Sequence, residues 1–151
     1  STLHTNDSAG AITRLIDMGV EPFLVSSSVE AIIAQRLVRV LCDRCKRPLK
    51  PDSPMLKSVA LVKDLVGATV YEAVGCERCR RSGYLGRLGI FENLLVTDAI
   101  RSLIVARESA NIIKQQGLQQ GMQTLRDDGW IKVRNGTTTI EEVLRVTEEE
   151  G

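Results

Sequence analysis

The sequence is poor in aromatic side chains and has no marked excess of either charge. Aromatic residues make up only 3% of the 151 residues, whereas hydrophobic residues as a whole reach 43%. The chain can therefore build a core, but that core has to be aliphatic. The net charge of +1 provides no general attraction to nucleic acid or to an anionic membrane. We expect one ordinary domain, or one domain with a small insertion.

The chain also lacks long apolar runs and a recognisable leader. No stretch of about eighteen apolar residues is present, and no basic segment precedes an apolar one near the start. We therefore expect no membrane-spanning segment and no secretion signal. The opening letters STLHTN contain no initiator methionine and have the β-prone, apolar character of a buried strand. This abrupt start predicts a piece of a longer protein.

Helical periodicity dominates the first and last thirds of the sequence. Helices are predicted from Ser8 to a stop near Gly19, and over 22–35, 55–67, 97–106, 110–120, 124–136 and 139–147. Gly117 interrupts one of these helices and weakens its pattern. Thr139, followed three residues later by Glu142, forms a capping-box pattern at the start of the last helix.

Strand signals are fewer. Segment 69–74 is predicted to be a strand, and 36–41 a strand or the end of a helix. Gly83, Gly86 and Gly89 recur at every third position and predict turns that feed a further strand. Their spacing fits neither of the common nucleotide-binding fingerprints, so we attribute them to turn geometry beside the cysteines.

All four cysteines occur in two C-x-x-C pairs, CDRC and CERC. They are Cys42, Cys45, Cys76 and Cys79. Each pair can occupy two adjacent corners of a tetrahedral metal site. The interval between the pairs is longer than the roughly 15–20 residues of compact zinc ribbons, so a helix and a strand must loop out between them.

The residues around the cysteine pairs favour a metal over other cysteine chemistry. Four thiolates and one zinc ion carry a net negative charge, which nearby cations can offset while they lower the thiol pKa values. These cations are Arg44, Lys46, Arg47, Arg78, Arg80 and Arg81. Two disulfides would need an oxidising compartment, and a redox pair would need a thioredoxin-like context. We predict a structural zinc whose four protein ligands leave it no catalytic role.

The single histidine, His4, lies at the end of the predicted first strand and before a helix-capping cluster. Ligands bind at the carboxyl edge of α/β sheets, so this imidazole is a candidate ligand-facing group. A half-buried histidine without a function is the alternative that the residues themselves leave open.

Several segments, taken in order, resemble the carboxyl-terminal part of the secretion ATPases, the hexameric motors of type II secretion and type IV pilus assembly. These segments are STLHTN, RLIDMGVEPFLVSSSVEAIIAQRLVR, the two cysteine pairs, GYLGRLGIFE and TLRDDG…KVRNGTTTIEEVLRVT. The resemblance implies an α/β fold: the distal part of a RecA-like P-loop NTPase core (1–41), a tetracysteine zinc element (42–82), and a return strand with a helical carboxyl-terminal region (83–151).

The resemblance also implies roles for matching residues. LHTN matches the histidine box of the family, which would place His4 near the γ-phosphate of ATP. Arg87 matches a family arginine implicated in catalysis or subunit contact. The longer protein would use ATP and magnesium, form a homo-hexamer, and work in the cytoplasm at the inner membrane through platform and assembly proteins, without nucleic acid. The tetracysteine element fits the secretion and pilus-extension branches better than pilus retraction.

One departure from the family is large. A phosphate-binding G-x-x-x-x-G-K-[ST] loop is missing, because the sequence contains no Gly-Lys pair, and an acidic magnesium-binding strand is missing too. We therefore expect no ATP hydrolysis by this chain alone. Two other functions stay open: a zinc-stabilised protein-interaction module, and a zinc-ribbon module that binds nucleic acid.

Overall fold

The computed structural model describes residues 1–50, 52–59 and 65–147. Its helices are α1 (Ser8–Asp17), α2 (Pro22–Ser28), α3 (Pro54–Ser58), α4 (Asp98–Val105), α5 (Ala110–Gln119), α6 (Leu125–Arg134) and α7 (Ile140–Thr147). Its strands are β1 (Ala31–Leu41), β2 (Arg47–Pro48), β3 (Tyr71–Glu72) and β4 (Tyr84–Leu95). The predicted mixed α/β class is confirmed.

The two long strands pair with each other, and the two short strands form a separate pair. At one end the N–H of Val96 donates to the carbonyl of Glu30 at 2.9 Å, and at the other the N–H of Cys42 donates to that of Gly83 at 2.9 Å. The first residues of one strand therefore lie opposite the last residues of the other, so β1 and β4 are antiparallel. The pair β2–β3 is also antiparallel.

The chain divides into two compact units, and β1 and β4 each contribute residues to both. The first unit comprises residues 1–35 and 91–125. The second unit comprises the described residues of 36–90 and 126–147. The predicted division at 42 and 83 stays a prediction about the family architecture.

The first unit has the aliphatic core that the composition predicts. Its fully packed cluster comprises Ala9, Ile12, Val25, Leu94, Val96, Ile100, Ile104 and Ile113. Helix α1 begins where predicted because the carboxylate of Asp7 accepts the N–H of Gly10 at 2.8 Å and caps the first turn. Helix α5 runs through Gly117, which the sequence pattern treats as an interruption. A Cβ at this glycine would lie 2.8 Å from Leu94 Cδ1, so close packing is the reason for the residue.

The second unit packs around Trp130, the only tryptophan of the chain. Trp130 is 5% exposed and lies in a cluster with Val59, Leu65, Val70, Val133, Ile140 and Val143. Since no other tryptophan is present, the fluorescence of this indole reports on the second unit alone.

A buried carboxylate joins β1 to α7 within the second unit. Glu142, 1% exposed, accepts the backbone N–H of Arg39 at 2.8 Å and a guanidinium N–H of the same residue at 2.7 Å. Arg145 donates to both oxygens of Glu142, at 3.0 and 2.8 Å. Burial raises the pKa of Glu142, but the hydrogen bonds from Arg145 and Arg39 outweigh it and lower the pKa to about 2.

The last helix begins with one half of the predicted capping box. The hydroxyl of Thr139 accepts the N–H of Glu142 at 3.3 Å, as the pattern requires. The carboxylate of Glu142 is engaged by the two arginines, which lie on β1 and one turn along α7. The sequence pattern therefore locates the helix start but misses the main partners of its glutamate.

The helix predicted over 22–35 is wrong in its second half. Helix α2 ends at Ser28, and the chain becomes extended at Val29 and continues as β1. Residues 29–33 include three β-branched side chains, which fit a pleated strand better than a helix. The ladder to β4 supplies their backbone hydrogen bonds, so a pairing distant in sequence overrides the local pattern.

Other predicted elements are shorter than the sequence indicates. Residues 1–5 form no strand, and the strand predicted over 69–74 is confined to Tyr71–Glu72. The ladders of the described residues join β1 to β4 and β2 to β3, so STLHT has no partner strand among them. The helix predicted over 55–67 begins as α3, but residues 60–64 and the terminal 148–151 lie outside the described residues. None of the helices in the described part of the chain has the length and apolar character needed to cross a membrane.

We predict that Glu142→Gln destabilises the second unit by about 3 kcal/mol at pH 7, because it removes a buried carboxylate that accepts charge-assisted hydrogen bonds from two arginines. The loss should shrink as the pH falls from about 5 toward 2. The carboxyl group of the unfolded chain takes up a proton near its ordinary pKa, whereas the folded group stays ionised down to a pKa of about 2. Its stabilisation is therefore complete above the unfolded pKa and disappears on acidification.

Urea unfolding followed by Trp130 fluorescence at several pH values measures this difference. Glu141→Gln is the matched control, because Glu141 is adjacent in the same helix turn but exposed, and its loss should cost no more than about 0.5 kcal/mol. A Glu142→Gln effect that stays constant between pH 7 and pH 4, or that equals the control, would contradict the assignment.

Candidate metal centre

The four thiols converge on one point in the second unit. Cys42 follows the last residue of β1, and Cys45 precedes β2 by two positions. Cys76 and Cys79 lie in the connection between β3 and β4. The four sulfur atoms lie within 4.8 Å of one another. The helix and strand expected between the cysteine pairs are α3 and β3.

The separations of the sulfur atoms distinguish metal ligands from disulfides. Sγ of Cys42 lies 3.8 Å from that of Cys76, and Sγ of Cys45 lies 3.8 Å from that of Cys79. Cys76 and Cys79 are 3.7 Å apart. A zinc ion with Zn–S bonds of about 2.3 Å at the centre of a tetrahedron separates its sulfurs by about 3.8 Å. A disulfide would bring two of them to about 2.05 Å. The donor set therefore fits a tetrahedral metal–thiolate centre.

Backbone N–H groups point at two of the sulfurs. Cys76 and Gly83 donate to Sγ of Cys79 at 3.1 and 3.2 Å, and Gly75 donates to Sγ of Cys45 at 3.3 Å. The bonds from Cys76 and Gly83 outweigh burial and lower the pKa of Cys79 to about 6, whereas burial raises the pKa of Cys45 to about 11. A coordinated metal cation would favour the thiolate form at all four positions.

Two glycines make the second cysteine pair possible. Gly75 and Gly83 have φ angles of +110° and +79°. A Cβ on Gly75 would lie 2.6 Å from the carbonyl oxygen of Arg81, and one on Gly83 would lie 2.6 Å from Cβ of Ala73. Both positions therefore demand a residue without a side chain, for conformational and for steric reasons.

The cations expected to offset the charge of the centre divide into two groups. Lys46 pairs with Asp43 at 2.9 Å and donates to the carbonyl of Gly136 at 3.0 Å, so it ties the first cysteine pair to the turn before α7. Arg47 lies 3.7 Å from the carboxylate of Glu72 across the β2–β3 pair. Arg44, Arg78, Arg80 and Arg81 are exposed.

The other two predicted site residues lie elsewhere in the chain. His4 is exposed and belongs to the irregular segment before α1, in the first unit. Arg87 is exposed on β4, in the second unit. Sequence reasoning missed the glycine N–H donors at Cys45 and Cys79. The signal that could have found them is the pair of glycines that brackets the second cysteine pair, Gly75 directly before Cys76 and Gly83 four residues after Cys79.

The fold and the thiols define a class: an α/β chain with a cluster of four cysteines that could hold a metal ion. The family model for the Type II/IV secretion system protein matches residues 1–145. The chain belongs to this family, which confirms the resemblance drawn from its motifs.

Relatives that match nearly the whole chain are named for type IV pilus assembly and for type II secretion. The chain is 50% identical over 148 residues to the type IV pilus assembly ATPase PilB of Thermus thermophilus, covering 97% of this chain and 17% of that protein. It is 49% identical over 150 residues to the type II secretion system protein E of Pseudomonas aeruginosa, covering 99% and 30%. The type II secretion system ATPase E of Vibrio cholerae is 48% identical over 149 residues, covering 99% and 29%. The chain thus spans less than a third of the length of these curated relatives.

We predict that Gly83→Ala destabilises the second unit by about 3 kcal/mol, because it adds the strain of a positive φ to a steric clash. Gly86→Ala is the matched control: Gly86 has a φ of +85° but no atom within 4 Å of its added Cβ. The control should cost only the conformational term, about 1 kcal/mol. Urea unfolding monitored by Trp130 fluorescence measures the free energy of unfolding of both variants. Equal losses of this free energy would show that the contact with Ala73 contributes nothing to stability.

Proposed function

We propose that the chain is the carboxyl-terminal part of a cytoplasmic hexameric ATPase that drives type II secretion or type IV pilus assembly. The observation that carries the proposal is the nearly complete match of this chain to relatives named as ATPases of both machines. The RecA-like core, the hexamer and the inner-membrane platform and assembly proteins as partners belong to this proposal. The choice between secretion and pilus assembly stays open, because relatives of both kinds match at similar identity.

In this proposal the tetracysteine centre holds one structural zinc ion. Cys42, Cys45, Cys76 and Cys79 complete a tetrahedral shell, which leaves no open position for a reacting water or substrate. Zinc would join the end of β1 to the connection that leads into β4. Its contribution is therefore to the folding of the second unit, and no catalytic step passes through it.

Nucleotide chemistry would require the rest of the longer protein. The phosphate-binding loop and the magnesium-binding acidic strand are missing from the sequence, so the chain alone should not hydrolyse ATP. Within the longer protein His4 would donate a hydrogen bond near the γ-phosphate. Arg87, exposed on β4, is available for a role in catalysis or subunit contact.

A second function, zinc-stabilised protein interaction, is favoured by exposed apolar side chains on either side of the second cysteine pair in the sequence. Val74 is 44% exposed and Leu85 48% exposed. Binding of nucleic acid is less well supported, because the two tyrosines that could stack on bases already contact cations. Arg39 lies 4.1 Å from the ring centre of Tyr84, and Lys46 lies 5.1 Å from that of Tyr71.

We predict one zinc ion per chain. Replacing Cys42 with Ser should abolish stoichiometric zinc and lower the stability of the second unit, because the metal-binding free energy contributes to folding. Elemental analysis and Trp130 fluorescence during chelation provide the two readings. Chelation should unfold the unsubstituted protein but should not change the Trp130 fluorescence of the Cys42→Ser variant. Protein purified under reducing conditions without bound metal would refute the zinc assignment.

We predict that His4→Ala in the full-length protein lowers kcat by about 10- to 1,000-fold, because a single positioned donor acts mainly on charge that develops in the transition state. Nucleotide affinity and zinc content should change little. A histidine without a function gives the opposite result, a lower melting temperature with unchanged turnover per folded molecule. Steady-state kinetics and a melting curve on one preparation separate the two, and an unchanged kcat would remove His4 from the site.

A further inference from the structure

One carboxyl group is buried in the otherwise aliphatic core of the first unit. Glu92 on β4 is 0% exposed, and the next residue on the same face, Leu94, is 1% exposed. Burying a carboxyl group costs free energy unless polar partners compensate for lost water. A strand that served only to pack this core would be more stable with an apolar side chain here, so the choice of glutamate needs another reason.

The hydrogen bonds of Glu92 are directed at a single residue. Its Oε1 accepts the backbone N–H of Ser8 at 3.0 Å and also the hydroxyl of Ser8. Its Oε2 is buried and has no hydrogen-bond partner among the described residues. Both polar interactions thus hold the first residue of α1, whose N–H has no acceptor within its own helix. The buried carboxylate of Glu92 therefore fixes the position of Ser8.

The segment before Ser8 is held from a second element. The carboxylate of Asp7, which caps α1, pairs through Oδ2 with Lys114 of α5 at 3.0 Å. The hydroxyl of Thr5 donates to the carbonyl of Asp7 at 3.1 Å. The backbone next to His4 is therefore attached to the core of the first unit through β4 and through α5, while the imidazole itself stays exposed.

We propose that Glu92 is a positioning residue for His4 and that it acts through Ser8. The inference rests on the proposed function, in which His4 lies near the γ-phosphate. Glu92 holds the amino-terminal end of α1. Because only three residues separate Ser8 from His4, fixing Ser8 also restricts the position of His4. Without the carboxylate of Glu92, the chain would still carry the imidazole of His4. That imidazole would no longer be held in the geometry that the reaction needs.

The test is a double-mutant cycle in the full-length protein with ATP turnover as one reading and thermal melting as the other. Glu92→Met, which is nearly isosteric and removes the acceptor, should lower kcat by about 10-fold with KM for ATP changed less than about 2-fold. Its melting temperature should be unchanged or higher, because an apolar side chain suits this core. In the His4→Ala background the same substitution should change kcat less than about 2-fold.

Each departure from this pattern has a separate meaning. If His4→Ala lowers kcat but Glu92→Met lowers it by the same factor with and without His4, the positioning role is refuted and the proposed role of His4 stands. If His4→Ala leaves kcat unchanged, the proposed function of the histidine is refuted. A fall in melting temperature with normal turnover per folded molecule would make Glu92 a structural residue only.

Three further variants secure the result. Glu92→Gln keeps an acceptor oxygen for Ser8 and should recover kcat to within about 3-fold of the parent. Ser8→Ala removes only the hydroxyl partner and should lower kcat by about 3-fold, again only when His4 is present. This variant can complete the double-mutant cycle if Glu92→Met does not fold. Glu142→Gln is the matched control, because it alters an equally buried carboxylate in the second unit and should leave kcat per folded molecule unchanged.

Discussion

The antiparallel pairing of β1 with β4 is the interaction on which both units depend. Each strand supplies residues to both units, so neither unit has a complete set of elements without this ladder. The pairing also brings Cys42, at the end of β1, to Gly83, just before β4 begins, through a backbone hydrogen bond of 2.9 Å. This hydrogen bond therefore brings the connection between β3 and β4, which carries the second cysteine pair, next to the first cysteine pair.

Strand pairing also flanks the candidate metal centre along the chain. The β1–β4 ladder ends at Cys42, and the β2–β3 pair sets Arg47 opposite Glu72 between the two cysteine pairs. Backbone N–H groups from this framework reach the sulfurs of Cys45 and Cys79. A metal ion would thus be bound by thiols whose positions the surrounding backbone already constrains, which reduces the entropy lost on binding.

Two glutamates are equally buried but differ in what surrounds them. Glu142 receives four hydrogen bonds from two arginines and joins β1 to α7, so its burial is compensated locally. Glu92 has hydrogen bonds on one oxygen only, both from Ser8. The first arrangement is expected of a residue that stabilises the fold, and the second of one that gives up stability to hold a segment in place.

The sequence by itself determined the α/β class, the helix starts at Ser8 and in the last third, the four candidate metal ligands and the family. These features depend on residues close together in the chain: caps, 3.6-residue periodicity, C-x-x-C spacing and ordered motifs. Only the tertiary structure decided that residues 31–35 form a strand, that close packing against Leu94 requires a glycine at position 117, and that Gly75 and Gly83 donate to the sulfurs. It alone also revealed the partners of Glu92 and Glu142. Each of these depends on a contact between residues far apart in sequence, where ladder hydrogen bonds and close packing outweigh local preference.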